Sequence, residues 1–154
     1  MSTKTQIAVQ QVLETIPLVM RALASELRRT EYGLAPVHFG LLVILAHSPR
    51  NLSELAEQQA VSLPTMSNSI TTLVERGWVK RTRDPHDRRM VLIELTPAGQ
   101  AVLSEIRRQA EARVAELLTP LSPTECDQLV AGLAVLRAAF GRVVGSAECL
   151  EHMP

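Results

Sequence analysis

The chain is poor in aromatic residues: one Trp, one Tyr and two Phe among 154 residues. Its core must therefore be assembled from Leu, Val, Ile, Ala and Met, a composition that favours packed helices over a β-sandwich. Cysteine is equally scarce. Cys126 and Cys149 are too few for a disulfide framework and point to a reducing compartment. Two unpaired thiols are the plain reading, with a pair or one redox-active thiol as alternatives. There is no uninterrupted apolar run of about 18 residues, so no transmembrane helix is expected. The opening MSTKTQIAVQQ lacks the basic region and apolar core of a signal peptide, and a cytoplasmic location is expected. Net charge is also lacking, with 16 basic against 16 acidic side chains. That is not what a DNA-binding protein shows on average, and the distribution of the charges matters more.

What is present is a succession of amphipathic segments. Val9, Val12, Leu13, Ile16, Val19, Met20, Leu23 and Leu27 recur at three/four spacing and predict one long helix over residues 5–31. Pro17 inside it should introduce a kink. This helix exceeds what a monomer of this size needs and points to a subunit interface. Gly33 ends it, and Pro36 opens the next, whose core face is Phe39, Leu42, Val43 and Leu45. Ser53 is the expected N-cap of a short helix, ELAEQQA. Ser62 caps a second, LPTMSNSITTLVER, which Gly77 stops. Two short helices joined by about two residues have helix-turn-helix spacing.

WVKRTR and MVLIEL then alternate as strands around the turn RDPHDR, with Val91, Ile93 and Leu95 expected on one face. Thr96 and Pro97 begin a helix to about Leu118. Ser122–Glu125 fits a capping box ahead of a last helix carrying Leu129, Val130, Leu133, Leu136, Phe140 and Val143. The expected fold is mainly α: a winged helix-turn-helix with a small β-hairpin wing and a helical dimerisation domain. The expected divisions are an N-terminal dimerisation helix (1–32), the winged region (33–96), C-terminal dimerisation helices (97–145) and a tail (146–154).

The charges are balanced overall but not locally. Residues 76–89 hold Arg76, Lys80, Arg81, Arg83, Arg88 and Arg89 against only Asp84 and Asp87. A basic hairpin is poor core material and a good phosphate contact, and an arginine at its tip can enter a narrow minor groove. In the preceding helix, Met66, Ile70, Leu73 and Val74 form the expected buried face. Pro64, Thr65, Asn68, Thr71 and Thr72 lie opposite, with Ser62 and Ser67 at the N-terminal edge. Asn can make two hydrogen bonds to adenine in the major groove, and a Thr methyl can pack on thymine. Ser62 and the helix N-terminus suit a phosphate. The candidate DNA contacts are thus Ser62, Pro64, Thr65, Ser67, Asn68 and Thr72 on the helix, and Arg83, Asp87, Arg88 and Arg89 on the wing.

SELAEQQAVSLPTMSNSITTLVERGWVKRTRDPHDRRMVLIELTPAG resembles the MarR family of bacterial transcriptional regulators. The specific part is Asp87-x-Arg89 with Leu95-Thr96 and Gly99 beyond it. Gly77-Trp78-Val79-x-Arg81 ahead of it also fits, with Trp78 where leucine is commoner. The resemblance covers about residues 30–100 by motif and the flanking helices by architecture. It implies a minor-groove role for Arg89, with Asp87 holding it or bracing the wing by an ion pair. It also implies a homodimer on a pseudo-palindromic operator, and a repressor released by a small aromatic or anionic effector. The family pocket lies between the dimerisation helices and the winged region, which points to Tyr32, His38, Phe39 and the arginines of the first helix. Relatives often carry arginine near Asn68 or Thr72; this chain does not.

Other features carry less. His38, His47, His86 and His152 show no metal-ligand spacing, and neither a metal nor another cofactor is expected. Asp84, His86 and Asp87 read as turn residues rather than an acid/base cluster. No nucleophile–base pair or phosphate loop suggests an enzyme. Two rival readings remain: a redox-responsive regulator acting through Cys126 or Cys149, and a helical protein-interaction module whose hairpin charges only solubilise it.

Overall fold

The computed structural model describes residues 1–141. Six helices and three short strands follow in the order α1 (Thr3–Arg29), α2 (Pro36–His47), β1 (Arg50–Asn51), α3 (Leu52–Gln58), α4 (Leu63–Glu75), β2 (Val79–Arg83), β3 (Val91–Leu95), α5 (Pro97–Leu118) and α6 (Pro123–Phe140). This is the expected mainly α winged helix-turn-helix. Its helix starts are set by side-chain oxygens meeting free first-turn amides. Ser62 accepts from the Thr65 N–H, Thr96 from Gly99 and Ser122 from Glu125, the last as a full capping box. Pro36 opens α2 and Gly77, at φ +75°, follows the end of α4.

Three details differ from what the sequence predicts. The cap of α3 is Asn51, whose side chain accepts from the Glu54 N–H, and not Ser53, which lies inside the helix and is exposed. Asn51 is also the last residue of β1, a two-residue strand without any periodic signal. It pairs with Leu92 while Arg50 pairs with Ile93, so the sheet has three strands ordered β1-β3-β2. Along β3, Ile93 is buried and Leu95 half-buried, but Val91 is 48% exposed. It lies too far out along the wing to reach the core.

The core gathers under the winged region. Leu34, Leu41, Leu42, Leu55, Met66, Ile70, Leu73, Ile93, Leu103 and Ile106 are almost entirely buried, with Trp78 its single large aromatic. The first half of α5 closes this core, and Leu27 near the end of α1 joins it. Beyond it the long helices carry bare apolar stripes. Ile7, Leu13, Leu18, Val19 and Met20 on α1 are exposed, as are Leu129, Val130, Leu133, Val135 and Phe140 on α6, a helix with no buried residue. α1 runs on through Pro17, which leaves the Leu13 carbonyl without its usual donor. By length and apolar content alone α1 could cross a membrane. The absence of an unbroken apolar run did not anticipate that, because Gln10, Gln11, Glu14 and Arg21 interrupt the run while leaving its average high.

The corner between α3 and α4 turns at Ala60, whose φ of +53° is in the left-handed region. Its N–H donates to the Glu57 carbonyl, and the Val61 N–H donates to Ala56. An alanine incurs a steric penalty there that glycine avoids. The corner sets α4 across α3 and turns its polar side outward.

Candidate nucleic-acid interface

α4 is amphipathic in the sense the core requires. Met66, Ile70 and Leu73 are fully buried, and Pro64, Thr65, Asn68 and Thr71 are exposed. Ser67 and Thr72 are half-buried at the edges of that face. Several of its hydroxyls already have partners. Ser62 Oγ accepts from the Thr65 N–H and donates to Thr65 Oγ1, and Thr72 Oγ1 donates to the Asn68 carbonyl at 3.1 Å. The Asn68 amide has no hydrogen bond among the described residues, so both its donor and its acceptor face solvent. On this helix it is the side chain best able to read a base edge.

The wing stands beside that face. β2 and β3 pair in antiparallel register from Val79 with Leu95 to Arg83 with Val91. Arg81 Nη2 donates to Thr71 Oγ1 at 3.1 Å and so fastens the strand to α4. Lys80 and Glu94, directly opposite one another, approach to 3.8 Å. The pair is solvent-exposed and contributes little. Arg83, Arg88 and Arg89 make no ion pair among the described residues and are exposed. Their charge is uncompensated at the hairpin end.

The tip is held by its aspartates. Asp84 Oδ1 accepts from the His86 N–H at 2.8 Å, and Asp87 Oδ1 accepts from the Arg89 N–H at 3.0 Å. The Asp84 N–H donates to Met90, and the Met90 N–H donates to Asp87. These are turn bonds of the kind short acidic side chains provide. The expected ion pair of Asp87 does not form among the described residues: its carboxylate braces the Arg89 backbone instead of the guanidinium.

The wing's root is equally tight. Thr96 Oγ1 donates to the Gly77 carbonyl at 2.6 Å, and the Thr96 N–H donates to Trp78 at 3.0 Å. Gly99 lies so close that a Cβ there would collide with the Trp78 carbonyl oxygen. This close approach gives the Leu95-Thr96…Gly99 spacing a physical reason.

Tyr32, His38 and Phe39 do not meet in one pocket. Tyr32 lies edge-on to Trp78 with ring centroids 5.9 Å apart. Burial, and after it the nearby Arg76 cation, hold the His38 imidazole below its ordinary pKa. Phe39 instead lines a separate cavity of about 210 Å³ between α1, α2 and α5, with Leu23, Glu26, Arg29, Ile106 and Gln109. His38 and Phe39 are adjacent on α2 and so point about 100° apart, while Tyr32 lies in the turn before that helix. A larger open groove of about 800 Å³ runs between α1, α2, α3 and α6. Cys126 is half-buried and has no disulfide partner among the described residues, and Cys149 falls outside them. The described residues contain no cluster of metal-ligating side chains.

The MarR family model matches residues 32–90, the span from the α1–α2 connection to the wing tip. The chain is 31% identical over 101 residues to YkoM of Bacillus subtilis, an HTH-type transcriptional regulator, with 65% of this chain and 66% of YkoM covered. It thus spans just under two thirds of that relative's length. The fold is that of RV1404 from Mycobacterium tuberculosis, with TM-score 0.80, 24% identity, and 92% and 97% of the two chains covered. It is also that of Streptococcus pneumoniae FabT, solved in complex with DNA, with TM-score 0.70, 20% identity, and 90% and 99% covered. The matched span holds both the helix-turn-helix and the braced basic wing, and over residues 32–90 the chain matches the MarR family.

Proposed function

We propose that this protein is a cytoplasmic, sequence-specific regulator of transcription that binds double-stranded DNA as a homodimer. The observation that carries the proposal is the free polar face of α4 around Asn68, lying beside three wing arginines with no ion-pair partner among the described residues. In this reading α4 enters the major groove, where Asn68 reads a base and Pro64, Thr65, Ser67 and the Thr72 methyl pack around it. Ser62 and the helix N-terminus approach a phosphate. Arg83, Arg88 and Arg89 follow the backbone and the adjacent minor groove, with Asp87 holding the tip in shape. That the FabT structure contains DNA supports the same assignment.

The dimer accounts for the bare stripes of α1 and α6. Fully burying one such side chain contributes about 1.5–3 kcal/mol, and many lie exposed on these helices. A two-fold pair would present two copies of α4 to half-sites about one helical turn apart, hence a pseudo-palindromic operator. The regulator would act as a repressor released by a small aromatic or anionic molecule. The cavity beside Phe39 and Arg29 supports that part, and of the three expected pocket residues Tyr32, His38 and Phe39 it is lined by Phe39.

Selection from randomised duplexes with the full chain tests the proposal. A symmetric motif should emerge, and Asn68→Ala should relax preference at one base pair per half-site, by about 1–3 kcal/mol. A protein that is monomeric in sedimentation, or that selects no sequence, would contradict the reading.

A further inference from the structure

Arg76 ends α4 as its C-cap, and in the sequence it belongs to the basic cluster of the wing. Its side chain is turned away from the wing. The Nη1 atom donates a hydrogen bond to the backbone carbonyl of Tyr32, 44 residues earlier. The guanidinium carbon lies 4.8 Å from the centroid of the Trp78 ring, a cation–π contact. Trp78 meets Tyr32 edge-on, so the three residues touch in turn, Arg76 reaching Tyr32 through its main chain. Tyr32 itself lies in the turn after α1, beside Gly33 at φ +53°. The main packing of α4 is against α3 and β2, within the winged region. Arg76 adds a link of another kind: it joins the end of α4 to the end of α1, the helix assigned to the subunit interface.

We infer that Arg76 is a positioning residue for DNA reading: it fixes the C-terminal end of α4 against the α1–α2 connection and sets the angle at which Asn68 meets a duplex. Its chemistry suits that task. A planar guanidinium donates along its edge and stacks on an aromatic face at once, whereas a lysine ammonium offers a point charge without the plane. With Nη1 on the Tyr32 carbonyl and its carbon over the Trp78 ring, the exposed guanidinium is engaged by the protein itself. The cation–π half of this arrangement depends on Trp78.

The inference rests on the DNA-reading proposal, so its test has one arm without DNA and one with it. In the free full-length protein, Arg76→Gln and Arg76→Lys should both speed hydrogen exchange in the last turn of α4 and in residues 31–34. Amides in the first half of α5 should be unaffected. On the operator that the wild type selects, Arg76→Gln should lose about two- to thirtyfold in affinity, the range seen when coupling residues are altered. Affinity for an unrelated duplex, and its salt dependence, should be unchanged. Arg76→Lys should fall with Arg76→Gln.

A direct phosphate contact makes the opposite prediction. Every duplex would then bind more weakly, the salt slope would flatten by about 0.9 per phosphate, and lysine would restore both. That result overturns the inference. So does unchanged exchange in the free protein, or faster exchange with undiminished operator affinity. A wild type that selects no sequence refutes DNA reading itself, while the exchange arm still decides whether Arg76 links α4 to α1.

Discussion

The carboxylate of Asp87 accepts a hydrogen bond from the backbone N–H of Arg89, 3.0 Å away, at the tip of the wing. An acidic side chain thus shapes the one segment where positive charge accumulates. Its electrostatic effect on DNA is repulsive and its structural effect is favourable, and the two can be separated.

Asp87→Ala should weaken operator binding about two- to tenfold, the scale of one hydrogen bond, although it removes a negative charge. Asp87→Asn keeps the acceptor oxygen and should bind at least as well as the wild type. Titrations at several salt concentrations decide. If Asp87→Ala binds more tightly throughout, charge counting is sufficient and the brace has no role in binding.

Arg89→Ala should weaken binding to specific and unrelated duplexes alike. It should flatten the dependence of log affinity on log salt by about 0.9 for each phosphate that is no longer neutralised. Because Arg89 is exposed, thermal stability should move by no more than about 0.5 kcal/mol. A large loss of stability would mean that the residue is structural.

Gly99→Ala should be strongly destabilising. The added methyl group collides with the Trp78 carbonyl, a backbone atom that cannot rotate away. Overpacking of this kind costs about 1–3 kcal/mol or more. Urea denaturation should show the loss. Ala98→Gly, one residue away and exposed, provides the control at a helix-propensity cost of about 1 kcal/mol.

His38 predicts a pH dependence. Its folded-state pKa lies below the ordinary 6.5, chiefly through burial and secondarily through Arg76. The unfolded chain therefore binds the proton more readily. Stability from this group is complete above 6.5 and is lost as pH falls from there through the lower folded value. His38→Gln should flatten the acid-side fall in stability, measured by denaturation between about pH 8 and pH 5. An unaltered profile would exclude His38 as a contributor.

Much of the fold was legible because local chemistry and tertiary structure agree. Ser62, Thr96 and Ser122 are caps in sequence and in space, and Pro36 and Gly77 sit where their backbones are least strained. β1 was not legible, since two residues carry no period and Arg50–Asn51 is a strand only because β3 lies alongside. The cap of α3 was misread for the same reason: Ser53 has the right chemistry, but the chain leaves the sheet at Asn51. The candidate interface was readable from the alternation of α4 and the clustering of arginines. The roles inside that cluster were not. Arg76, Arg81 and Arg89 are alike in sequence, yet one turns to Tyr32, one to Thr71 and one to solvent.

The close approach of Gly99 to Trp78 has a mechanical consequence. With Thr96 bonded to Gly77 and Trp78 as well, the wing's root and the first turn of α5 form one stiff joint. From that joint α5 extends as a rod of 22 residues, about 33 Å at 1.5 Å per residue. A tilt of about 5° at the root would carry its far end through about 3 Å over that length. Val102, Leu103 and Ile106 hold the first half of this rod in the core, so only its outer half stands clear of the winged region. Wing root, core and outer helix are thus one continuous piece of structure, and the glycine that allows the close approach at Trp78 is what joins the first to the second.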